Sequence, residues 1–182
     1  KTWKAHASNK KRGLRVHVST AFFVPKPFTP FQWERQDTME EYRRKTQLLK
    51  NAMPSKSVEY NWHDAKLSQL EAVLARGDRR LCRVLEAAVA RGVKLDGWDE
   101  YFDYDAWMAA FAACGIDPAF YTTRGYQEAE VLPWDTIDVG VSKAFLAKER
   151  AQAYAGQVTP DCRTQCSGCG ANTLLKGGCC DA

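Results

Sequence analysis

Apolar and polar residues alternate from Leu14 to Thr20, with Leu14, Val16 and Val18 on one side and Arg15, His17 and Ser19 on the other. That period of two predicts a strand. A second alternation runs from Ser57 to His63: Val58, Tyr60 and Trp62 share one face, Glu59, Asn61 and His63 the other. Between them, Pro25, Pro27 and Pro30 forbid a helix and predict an extended loop. Phe22, Phe23, Phe28, Phe31 and Trp33 make that loop too apolar for an idle surface segment, so it is expected to pack over something. Thr38 followed by Glu41 forms a capping box, and the helix it opens runs to about Ala52, short of Pro54.

Strand, loop, helix and strand within about fifty residues describe a βαβ unit, which normally has parallel strands and a right-handed crossover. Parallel strands covered on both faces read as continuous apolar runs. These two each keep a polar face, carrying His17 and Ser19 or Asn61 and His63. A barrel or half-barrel with a polar lumen explains that pattern, and an antiparallel sheet with one solvated face is the alternative. The helical connection favours the barrel.

After His63 the pattern turns helical. Asp64 is positioned to cap a helix carrying Leu67, Leu70 and Leu74 and ended by Gly77. Asp78 is positioned to cap the next, with Cys82, Leu85 and Val89 as its stripe and Gly92 as its stop. A third spans about Tyr104 to Cys114, with Trp107, Phe111 and Cys114 on one face. Cys82 and Cys114 are thus expected in the core. Ser142 caps a last helix, Lys143 to about Tyr154, before Gly156. The acidic, aromatic stretches Asp96–Asp103 and Leu132–Gly140 fit helix caps around buried tryptophans better than an acid–base pair.

Composition adds two points. With 182 residues, 45% hydrophobic, the chain holds enough material for a real core. Its net charge of +4 is uneven, since residues 1–33 contain seven Lys or Arg and no Asp or Glu. A solvated basic end is the plain reading and an RNA or nucleotide contact the sharper one. No apolar run is long enough to span a membrane, and the chain opens on no signal-like segment. A cytoplasmic location is expected.

Five of the seven cysteines lie in the last stretch, as Cys162-x3-Cys166-x2-Cys169-Gly170 and then Cys179 and Cys180. In a reducing compartment, clustered thiols point to metal rather than disulfide. Without a nearby His, either zinc or an iron–sulfur cluster needs a fourth ligand from Cys179, Cys180 or elsewhere.

Longer strings carry a resemblance. Val18 to Pro27 with Thr29-Pro30-Phe31-Gln32-Trp33 resembles a late strand and loop of radical S-adenosylmethionine (SAM) enzymes, the methylthiotransferase branch included. Leu74 to Arg80, Phe102-Asp103, Leu132-Pro133-Trp134-Asp135, Ile137 to Lys143 and Thr159-Pro160-Asp161-Cys162-Arg163 with the following C-x2-C-G resemble a cobalamin-binding-type radical SAM family. The resemblance covers essentially the whole chain. It implies an α/β fold: the last β/α units of a partial (β/α) barrel over residues 1–63, a mainly helical extension over 64–157, and a Cys-rich metal-binding tail over 158–182.

It implies, further, a parent enzyme that uses a 4Fe-4S cluster to cleave SAM reductively, with cobalamin as a possible second cofactor. The missing N-terminal part of the parent would be this chain's partner and would hold the SAM-cleaving cluster, upstream of Lys1. His17, Ser19, Asn61 and His63 would line the lumen near SAM or substrate. Cys162, Cys166, Cys169, Cys179 and Cys180 would hold an auxiliary iron–sulfur cluster or zinc. The family pattern places one more residue between the first two cysteines and a cysteine where this chain has Asn172. The competing reading is a non-catalytic metal-binding module that contacts RNA.

Overall fold

The computed structural model describes residues 14–173. Strand β1 (Val16–Thr20) is followed by the proline-rich loop and helix α1 (Met39–Ala52), then by strand β2 (Val58–Trp62). The strands pair in parallel, in the register Val16–Val58, His17–Glu59, Val18–Tyr60, Ser19–Asn61 and Thr20–Trp62. Helices α2 (Ala65–Arg76), α3 (Leu81–Ala90), α4 (Tyr104–Ala113) and α5 (Lys143–Tyr154) follow, with a 3-10 turn at Pro118–Phe120. The fold is thus mixed α/β, with a small parallel sheet and a mainly helical remainder.

Local sequence sets these boundaries. The Thr38 hydroxyl accepts from Glu41 N–H at 3.2 Å while the Glu41 carboxylate accepts from Thr38 N–H at 2.7 Å, so the expected capping box is formed. Asp64 accepts from Lys66 and Leu67 N–H at the start of α2, and Ser142 from Phe145 N–H at the start of α5. Asp78 does not cap α3. It accepts from Arg80 N–H in the turn before, and the helix begins at Leu81 behind Arg80.

Two apolar clusters organise the interior. The first joins α2, α3 and α4 through Leu70, Val73, Leu81, Val84, Ala88, Trp107, Ala110 and Phe111. The stripe read from sequence on α3 is therefore not the buried one: Leu85 and Val89 face solvent and Cys82 is exposed. Helix α3 is apolar on two adjacent arcs, and periodicity alone does not rank them. Gly77 does, because a Cβ there would stand 2.0 Å from Leu81 Cδ1. The bare glycine admits Leu81, and the arc of Leu81, Val84 and Ala88 turns inward. On α2, likewise, Leu70 is buried while Leu67 and Leu74 are exposed. Cys114 is half-buried against the first cluster.

The second cluster packs the proline-rich loop onto the later chain, through Trp33, Tyr126, Leu132, Trp134 and Leu146. Pro25, Gln32 and Trp33 are buried, as the apolar loop predicts, although Phe23 remains exposed. The Thr122 carbonyl lies between the clusters. It accepts from Gln36 N–H at 2.8 Å and from Arg76 Nη1 at 3.3 Å.

Candidate functional site

In α/β folds, ligands bind beyond the carboxyl ends of parallel strands. Here both strands end together, where His63 N–H donates to the Thr20 carbonyl at 3.1 Å. A cleft of about 590 Å³ opens there, lined by Trp62, His63, Asp64, Leu67, Asp99 and Phe102. Its walls combine two aromatic rings and an aliphatic chain with one imidazole and two carboxylates. Such a site suits a ligand with an apolar body and a polar end. The Tyr60 ring stacks at 5.3 Å on Trp62, and the Tyr60 hydroxyl bonds Thr20 Oγ1 at 2.9 Å, which fixes the aromatic wall from below.

The four polar residues expected from the strands are all exposed. Parallel pairing puts His17 beside Glu59 and Ser19 beside Asn61 on one face. His17 Nδ1 stands 3.2 Å from Glu59 Oε2. His63 lies past the end of β2 and lines the cleft instead.

A second cleft of about 410 Å³ lies between the proline-rich loop and α5. Phe28 and Gln32 form one side, Asp135 to Val139, Ser142, Lys143 and Leu146 the other. Buried Gln32 holds this junction: its Oε1 accepts from Trp134 Nε1 at 2.7 Å and from Phe28 N–H at 3.1 Å. Lys143 Nζ bonds Asp135 at 2.6 Å and the Glu130 carbonyl at 2.9 Å. Arg150 bridges Glu34 and Glu128. The strings Thr29–Trp33, Leu132–Asp135 and Ile137–Lys143, separate in sequence, thus meet at one place.

The cysteine segment docks beside that second cleft. Cys169 carbonyl accepts from Ser142 N–H at 2.9 Å. Gly168 and Gly170 have φ of 72° and 98°, and the reversal they permit brings Ala171 N–H to 3.5 Å from Cys169 Sγ. Cys162 and Cys169 carry free thiols, while Cys166 is disulfide-bonded. Ligation by Cys166 and its disulfide are mutually exclusive states. Among the described residues, no three His, Cys, Asp or Glu side chains are grouped to hold a metal ion. Cys179 and Cys180 lie outside the described residues. With its disulfide reduced, Cys166 would add a third thiol to those of Cys162 and Cys169, the donor type that suits zinc or iron–sulfur.

Two residues that matter here stand inside the resembling strings without a role assigned to either. Gln32 was visible only as a polar residue inside an apolar loop. Arg76 reads as an ordinary last-turn cation, yet it is fully buried with Nε and Nη2 unpartnered. Its guanidinium lies 4.2 Å from the Tyr126 ring centroid. Burial pushes its pKa down, and no carboxylate pairs with it among the described residues.

No helix among the described residues is long and apolar enough to cross a membrane. No protein-family model, no curated protein and no solved structure matches this chain.

Proposed function

We propose that this chain is the C-terminal part of a radical SAM iron–sulfur enzyme, with an auxiliary metal site at Cys162, Cys166 and Cys169. One observation carries the reading: a parallel β1–loop–α1–β2 unit with its polar positions in register and a cleft at the strands' carboxyl ends. That is the arrangement expected of β/α units around a polar lumen. A two-stranded parallel sheet with both faces partly exposed also suits a unit completed by further strands.

When bound, the cluster supplies the electron that cleaves the sulfonium bond of SAM. The contribution of this chain is placement. His17, Ser19 and Asn61 present hydrogen-bonding groups on one sheet face, and His63 with Asp99 offers polar contacts beside the Trp62 and Phe102 rings. The test is 5′-deoxyadenosine formation by the full-length protein containing this chain, reconstituted anaerobically with iron and sulfide and reduced with dithionite. Product that depends on His63 supports the reading. No product from protein with an intact cluster spectrum overturns it.

A non-catalytic metal-binding module is the second reading, favoured by the N–H···S contact and the two left-handed glycines at the cysteine turn. Reconstitution separates the metals: broad sulfur-to-iron absorption marks a cluster, and stoichiometric colourless zinc marks a structural site.

A further inference from the structure

We infer that the second cleft binds a small neutral aromatic amide or lactam, with Gln32 as the donor to its carbonyl. This cleft is separate from the one at the strand ends: among the described residues, the two share no lining side chain.

Gln32 carries the inference. It is 2% exposed and lines the cleft. The orientation of its amide is settled, because Oε1 receives two donors, Trp134 Nε1 and Phe28 N–H. The other end, Nε2, keeps both hydrogens, and among the described residues no group accepts either one. Nor is Nε2 sealed in the interior, as Trp33 Nε1 and Gln36 Oε1 are. With the rest of the side chain enclosed, the cleft is where it emerges. A donor fixed in this way selects an acceptor, and a ligand lacking one leaves it unpaired.

The remaining surface is largely apolar, from Phe28, Ile137, Val139, Val141 and Leu146, and about 410 Å³ admits a small ring. Phe28 stands in left-handed backbone at φ 58°, a strained state for a bulky residue, with its N–H on Gln32 Oε1. One amide thus positions the aromatic wall and offers the donor. Charge then separates an amide from an acid. Lys143 is engaged by Asp135 and the Glu130 carbonyl. Asp138 accepts Gly140 N–H through Oδ1, and among the described residues no cation pairs with it. A carboxylate ligand meets that negative charge, whereas an amide brings it an N–H.

The test is titration of the full nitrogen-15-labelled chain with benzamide, benzoate and benzylammonium, followed by two-dimensional NMR. The Gln32 side-chain amide pair is identified by its nuclear Overhauser contact with the Trp134 indole proton. Benzamide should shift that pair, with a Kd of about 1 mM for a ligand of its size. Benzoate, which Asp138 repels, and benzylammonium, which has no acceptor, should each bind at least roughly tenfold more weakly. Asp138→Asn keeps an acceptor for Gly140 and should narrow the gap between benzamide and benzoate. Val139→Trp fills the cleft from a half-buried wall and should abolish the benzamide shift while the rest of the spectrum keeps its dispersion. An unmoved Gln32 pair at about 10 mM benzamide overturns the site. Benzoate binding as tightly as benzamide overturns the amide assignment.

Discussion

Replacing Gln32 by Leu tests the junction on which the second cleft depends. Gln32 is 2% exposed, and its single Oε1 serves two donors, Trp134 Nε1 at 2.7 Å and Phe28 N–H at 3.1 Å. Leucine matches the volume but accepts nothing, so both donors lose their partner. A buried donor left unsatisfied costs about 1–3 kcal/mol. Phe28 is only half-buried and recovers part of its bond from water, which puts the expected loss at about 2–4 kcal/mol. Phe28 also holds a left-handed backbone at φ 58°, uncommon for a bulky residue, and loses the bond that helps to keep it there. The assay is urea unfolding followed by far-ultraviolet circular dichroism, with an unchanged slope expected. Trp134→Phe removes one donor. In that background, Gln32→Leu should cost about 1–2 kcal/mol less, a coupling that a double-mutant cycle reads directly. A loss under about 1 kcal/mol, or additive double-mutant energies, refutes Oε1 as the shared acceptor.

Gly77→Ala should destabilise by about 1–3 kcal/mol in the same assay, because its Cβ enters Leu81 at 2.0 Å and approaches the Val73 carbonyl at 2.9 Å. Arg76→Met, by contrast, should be neutral or stabilising, since it removes a buried charge without a carboxylate partner and leaves Gln36 N–H on the Thr122 carbonyl; a loss of several kcal/mol, roughly 3 or more, refutes that view. Glu130 has its pKa lowered from the ordinary 4.5, chiefly by the hydrogen bond from Arg124. A depressed carboxylate stabilises fully above its unfolded pKa and loses that contribution as pH falls through the folded value. Glu130→Gln should therefore reduce stability at neutral pH and flatten the decline below about pH 4.5, seen as converging thermal midpoints in acid. Thr38→Ala removes the capping hydroxyl of α1 and should cost about 1 kcal/mol.

Much of this fold is written in local sequence. The alternations at 14–20 and 57–63, the helix between them and the caps at Thr38, Asp64 and Ser142 are short-range signals, and each element forms where it predicts. The faces of α2 and α3 are less legible. Both helices carry more apolar residues than one stripe needs, and on α3 the fit of Leu81 against Gly77 makes the choice. The cleft at the strand ends was half visible: His63 stood out, whereas Asp99 and Phe102 arrive from a distant loop that no periodicity links to β2. Arg76 was invisible because a last-turn arginine is ordinary. Nothing local says that its end of α2 is buried under Tyr126.

The Thr122 carbonyl has a consequence for how the molecule melts. Gln36 leads from Trp33 of the second cluster, Arg76 ends a helix of the first, and both lone pairs of one oxygen serve them. Thr122 follows Tyr121 of the first cluster, so displacing it strands the Gln36 and Arg76 donors together. The two cores should therefore melt in one cooperative transition, with calorimetric and van't Hoff enthalpies in agreement, although they share no apolar residue.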